Sequence, residues 1–276
     1  MGLDGTRISL LIIAWAVVFY PVYPGLMEAW FGTSNADNSY GILVPFISLY
    51  FIWKKKVDLQ QAGSSSSAPG LIILIASLLF YVVSLAGGVA FLQRLMMVIS
   101  LIGLILYLYG KDIFRILRFP LVFLLFMVPI PVSVVNMVSF PLQTYATIIS
   151  SNIIQLCGIP VYREGHMLYF TQTQLEVAEA CSGIHSISAL LMLSVIFMHL
   201  CENSRTLKTI IILSSVIIAF IANILRVSGT GILAHFFGAA VARGFLHEFS
   251  GMAVFALGFA ILFIEYKLLN RKWFHR

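Results

Sequence analysis

The chain has 276 residues, of which 60% are hydrophobic and only 10% charged, and its mean hydropathy is +0.99; soluble domains are roughly half apolar and about one quarter charged. This composition excludes a disordered chain and specifies an all-α integral membrane protein, expected as a single domain over residues 1–276. The net charge of +6 comes from basic residues between apolar stretches, so it is a topology signal with membrane lipid as the surroundings, and no nucleic-acid partner is expected.

Apolar stretches long enough to cross about 30 Å of hydrocarbon fall at 8–26, 38–53, 71–90, 92–109, 119–135, 183–200, 207–225 and 246–268, so about eight transmembrane helices are expected. The first has no small-residue cleavage pattern and is taken as a retained anchor. Residues 60–70, with the run Ser64 to Ser67 and Pro69, have the composition of a flexible cytoplasmic linker. Pro129 and Pro131 break the fifth stretch, and in 136–158 polar residues from Asn136 to Gln155 recur among Val138, Leu142, Ile149 and Ile154, which predicts an amphipathic helix lying along the outer interface. Gly158 and Pro160 end it. Val161 to Val177 alternates polar with aromatic residues and predicts a short outer hairpin turning near Glu164 and Gly165.

With both termini cytoplasmic, 13 of the 17 Lys and Arg residues fall on the inner side, and only Arg94, Arg163, Arg226 and Arg243 lie outside. On this layout three reactive residues share the outer surface: Cys181 ahead of 183–200, Arg226 closing 207–225, and His247 opening 246–268. Neighbouring helices pack about 8–10 Å apart, so their tips can form one cluster. Cys181 stands at a helix N-terminus, where free N–H groups and the helix dipole favour a thiolate and an oxyanion; the alternative is a small buried cysteine at a tight turn. Arg226 at a membrane boundary is either functional or a snorkelling anchor. His185, one helical turn from Cys181, is a rival to His247 as general base. Cys157, at the end of the amphipathic helix, and Cys201, in a cytoplasmic loop, are read as ordinary structural cysteines. The four aspartates, Asp4, Asp37, Asp58 and Asp112, fall outside the spans or at their edges, which rules out an intramembrane aspartyl dyad. His247-Glu248-Phe249-Ser250-Gly251 lacks a second zincin histidine, and neither metal nor cofactor is implied.

These blocks resemble the exosortase/archaeosortase family of multi-pass membrane cysteine transpeptidases. The cysteine block is similar to Leu175-Glu176-Val177-Ala178-Glu179-Ala180-Cys181-Ser182-Gly183-Ile184, the arginine block to Ala222-Asn223-Ile224-Leu225-Arg226-Val227, and the histidine block to His247 through Gly251 with Phe255. Softer likenesses are Ser39 to Pro45, Phe126 to Pro131, and Gly158 to Val161, so the resemblance runs from about residue 30 to 260. His at 247, where archaeal members tend to carry Arg, points to a bacterial exosortase of the inner membrane. Tyr40 departs from the histidine expected in many members and is given no catalytic role.

The resemblance implies a membrane cysteine protease or transpeptidase whose partners are exported proteins with a tripartite C-terminal tail: a Pro-Glu-Pro-type motif, a transmembrane helix and a basic end. It implies Cys181 as nucleophile, His247 as base and Arg226 as oxyanion or motif-carboxylate binder, with Glu179, Ser182, Gly183, Asn223 and Arg163 as supporting or substrate-binding residues. The competing classes are a multi-pass transporter and a non-enzymatic component of a polysaccharide-export or secretion system.

Overall fold

The computed structural model describes residues 5–32, 36–63, 65–171, 173–177, 184–201, 205–238 and 245–273, with side chains outside 5–8, 36–37, 184–185, 245–250 and 271–273. They form two compact units, 1–131 and 132–276. The protein is a helical membrane protein, with one small sheet among the described residues. Among the described residues five helices are long and apolar enough to cross a membrane, or six if one bent pair counts as a span.

In the first unit the expected span 8–26 is two helices, α1 (Gly5–Val18) and α2 (Val22–Phe31), bent by 73°. Pro21 between them has no N–H to continue the α1 ladder. Residues 38–53 give a 3-10 turn (Ala36–Ile42) and then α3 (Leu43–Lys54), only 12 residues long. α4 (Lys56–Gln61) follows, inside the stretch that runs into the expected linker. Farther along that linker, the N–H groups of Ser65 and Ser67 donate to the carbonyls of Tyr109 and Tyr107. α5 (Ala68–Ala86) and α6 (Ala90–Phe123) form the closest helix pair of this unit. Their backbones touch where side chains are missing, since a Cβ on Gly103 would stand 2.7 Å from the Leu74 nitrogen.

α6 breaks at Gly110, where the expected span 92–109 ends, but the basic residues beyond it are helix rather than a loop between spans. Gly110 has φ 82°, a conformation costly for any residue with a Cβ, and the helix resumes beyond it to Phe123. The expected span 119–135 is therefore not a helix of its own. Its first residues complete the post-Gly110 helix, which buries Ile113, Leu117 and Leu121 at i, i+4, i+8 and exposes Lys111, Arg115 and Arg118. A 3-10 turn (Leu124–Met127) then precedes the two prolines.

The second unit opens with α7 (Val132–Leu156). The amphipathicity of this segment runs opposite to that of an interfacial helix. Its buried stripe is polar, comprising Ser139, Gln143, Thr147, Ser150 and Ser151, whereas Met137, Phe140, Tyr145 and Leu156 are exposed. An interfacial helix turns its polar face to water; here that face is covered by protein, and the Ser150 hydroxyl donates to the Ile224 carbonyl at 3.2 Å. Its 25 residues make about 37 Å, enough to cross, so the structure counts as a candidate span the segment expected to lie flat.

Residues 161–177, expected as a hairpin, are a three-stranded antiparallel sheet: β1 (Val161–Glu164), β2 (Met167–Phe170) and β3 (Gln174–Glu176). The extra strand arises because the Phe170 N–H donates to the Thr173 carbonyl at 2.8 Å, a tight turn that sends the chain back along β2. α8 (Ile184–Leu200), α9 (Arg205–Phe237) and α10 (Phe245–Trp273) complete the unit. They share one apolar core of Ile187, Leu190 and Phe197 with Ile211, Ala219 and Leu262.

α9 does not end at residue 225. It runs 33 residues, about 50 Å, so Arg226 lies in its interior rather than closing it. The reason is tertiary. Val227 joins the core under the sheet with Ile154, Val161, Leu168 and Phe170, and Gly231 lies so close to Ile154 that a Cβ would meet its Cδ1 at 2.7 Å. That burial outweighs the helix-weakening Gly229-Thr230-Gly231.

Candidate active site

The cysteine block is approached from the sheet. After β3, Val177 continues the pairing: its N–H donates to the His166 carbonyl at 2.9 Å, and its carbonyl accepts from Gln143 Nε2 of α7. Its side chain is 2% exposed and belongs to the same core as Val227. The strand end that leads toward Cys181 and the turn of α9 that carries Arg226 are thus built on one apolar cluster. Cys181 itself, with Glu179, Ser182 and Gly183, lies outside the described residues.

Arg226 is half-buried and Asn223, three residues before it on α9, is buried at 2% exposure. The guanidinium of Arg226 lies against α10 at Gly251. A Cβ at that glycine would stand 3.3 Å from Nη2 and 3.5 Å from Cζ, so any side chain there crowds the charge. Position 247 is one helical turn ahead of Gly251, about 6 Å along α10; the side chains of His247 and of the rival His185 lie outside the described residues. The backbone therefore brings Arg226 to the opening turns of the helix that carries His247. A planar fork of five N–H donors held there can bind a carboxylate bidentately or donate to an oxyanion.

Arg163, the remaining expected residue, serves its own hairpin: its Nη1 donates to the Gly165 carbonyl at 3.0 Å. A shallow open cleft of about 390 Å³ on the sheet, lined by Gln155, Pro160, Val161, Tyr162, Tyr169 and Thr171, contains none of the expected residues. Among the described residues no group of three His, Cys, Asp or Glu side chains could hold a metal.

Sequence reasoning missed Gln143, Thr144 and His166. Thr144 Oγ1 donates to the Phe140 carbonyl at 2.9 Å and also lies 2.9 Å from His166 Nε2. The Thr144 hydroxyl thus links the Phe140 carbonyl and the His166 imidazole. The Phe140 ring meets the imidazole edge-on at 5.0 Å between centroids. The signal was present as the i, i+4 recurrence of Ser139, Gln143 and Thr147, but it was assigned to water instead of to a protein partner.

Neither a curated protein nor a solved structure matches the chain. The sequence model of the transmembrane exosortases matches residues 30–264, most of the chain and all three of the blocks that carry Cys181, Arg226 and His247, and on that match the chain belongs to the transmembrane exosortase family.

Proposed function

We propose that this protein is a membrane-embedded cysteine protease or transpeptidase that cleaves the C-terminal sorting tail of exported proteins at the outer face of the bacterial inner membrane. Family membership supports a protease or transpeptidase role. The observation that carries the residue assignment is the Arg226 guanidinium packed at Gly251, one turn from His247, on a helix segment that shares its core with the strand end preceding the cysteine block.

Cys181 Sγ attacks the carbonyl carbon near the Pro-Glu-Pro-type motif; a thioester forms as the C–N bond breaks. His247 holds the thiol proton and returns it to the leaving amine. Arg226 donates either to the oxyanion of the tetrahedral intermediate or to the carboxylate of the motif's Glu. An amine or hydroxyl acceptor then takes the acyl group in transpeptidation, and water takes it in hydrolysis. Glu179, Ser182, Gly183 and Asn223 shape this site in the same reading.

In this reading the same orientation is kept, with α3 and α8 also crossing although each is shorter than the candidate spans. One crossing is needed between the basic residues 111–118 and the sheet at 161–177, and α7 supplies it in place of 119–135. Both termini and the Lys54 and Arg205 loops are then cytoplasmic and the sheet faces out. The test is cleavage of a tailed substrate by the purified protein in proteoliposomes. Cys181→Ala should abolish cleavage; cleavage by that variant at the parent rate would refute the reading.

A further inference from the structure

We propose that Gln143 is a positioning residue for the segment that carries Cys181, acting through the backbone of Val177; this rests on reading Cys181 as the nucleophile. Gln143 is buried at 6% exposure on α7, and its Nε2 donates to the Val177 carbonyl. The Val177 N–H is engaged by the His166 carbonyl, and its side chain is packed in the core beneath the sheet. Donor, acceptor and side chain of this residue are all fixed. Chain connectivity then keeps residue 181 within about 14 Å of Val177, four residues on.

The grip on the other strand comes from the same turn of α7. Thr144 Oγ1 hydrogen-bonds His166 Nε2, and Phe140 packs on the imidazole, so Phe140, Gln143 and Thr144 together hold both chains of the Val177–His166 pairing. A buried primary amide is costly unless its groups are bonded. Its long arm is what reaches across from a helix to a strand carbonyl. A nucleophile must be held in near-attack geometry, and a misplacement of about 1 Å can cost on the order of a hundredfold in rate. Val177 belongs to the cysteine block, so fixing it against α7 anchors that block four residues before the nucleophile.

The experiment uses the full chain with Cys157→Ser and Cys201→Ser, so that Cys181 is the only thiol. Gln143→Met keeps the volume and removes the donor. Its kcat and its rate of iodoacetamide alkylation at Cys181 should fall about three- to tenfold with KM unchanged, the scale of one neutral hydrogen bond. Gln143→Glu supplies a donor only when protonated. Its alkylation rate relative to the parent should therefore rise as pH is lowered from about 8 to about 5, into the carboxyl range. A carboxylate that merely loosened its surroundings would expose the thiol and raise the alkylation ratio toward pH 8, the opposite sign. Parent-like kcat and alkylation in Gln143→Met, or a ratio in Gln143→Glu that is flat or of that opposite sign, overturns the proposal. If Cys181→Ala still cleaves the substrate, the nucleophile reading fails instead.

Discussion

Gly251 offers a perturbation whose effects on rate and on stability have opposite signs. It stands inside α10, where Gly costs about 0.8–1 kcal/mol relative to Ala. Gly251→Ala should therefore stabilise the helix by an amount of that order. The new methyl would meet Arg226 Nη2 at 3.3 Å and Cζ at 3.5 Å. Comfortable contact begins at about 3.5–4.0 Å, so the guanidinium must retreat by roughly 0.3–0.5 Å. If a 1 Å misplacement costs about a hundredfold, half of that costs about tenfold in kcat. Gly251→Leu displaces the whole guanidinium and should lose the full contribution of a charge-stabilising donor, about a hundred- to a thousandfold. The assay is single-turnover cleavage of a tailed substrate beside thermal unfolding in the same detergent. Undiminished cleavage by both variants would refute the argument that Arg226 acts from its seat on α10. A parallel fall in stability and rate in Gly251→Ala would refute the steric reasoning.

Further outcomes follow from the same assignments. Arg226→Lys keeps the charge but loses the planar fork, and cleavage should slow about a hundredfold or more. His247→Ala should abolish processing and His185→Ala should not; the reverse pattern would exchange their roles. Accessibility labelling of single cysteines in a Cys-less background should find a probe at Ser65 only from the cytoplasmic side and one at Tyr162 only from outside. Labelling of Ser65 from outside alone would invert the proposed topology.

The sequence disclosed the membrane class and the family more fully than the architecture, for physical reasons visible at particular residues. The apolar periods of Ala68 to Ala86 and of the last helix are long, unbroken runs, and both are helices close to the expected bounds. Composition could not show that 119–135, the more apolar of two neighbours, gives way to a 3-10 turn while 136–158 forms the longer continuous helix, because the deciding feature is what covers the polar stripe of α7. Nor could it show where α9 stops. Val227 packs in the core under the sheet, Gly231 lies against Ile154 and Phe170, and Ala234 is buried, so the helix continues through them. At the candidate site Arg226 and the helix of His247 do come together, whereas the Gln143 clamp depends on a pairing between residues 34 positions apart that no local pattern reveals.

The extended α9 also changes what Arg226 can do. An arginine at a helix terminus would sit on a fraying turn whose ladder bonds are incomplete. With eleven further residues of helix beyond it, to Phe237, the backbone of Arg226 is fixed on both sides, and its neighbours Asn223 and Val227 are buried. The side chain then reaches Gly251, where the missing Cβ leaves space for the guanidinium. A catalytic cation needs little reorganisation when charge develops beside it. The continuation of α9 under the sheet supplies that rigidity, so loosening the sheet core should slow cleavage without touching any reacting group. Leu168 is 0% exposed at the centre of that core. Leu168→Ala should destabilise the second unit by about 2–5 kcal/mol and lower kcat at temperatures where the protein is still folded. An unchanged kcat in that variant would show that Arg226 is held by α9 and α10 alone.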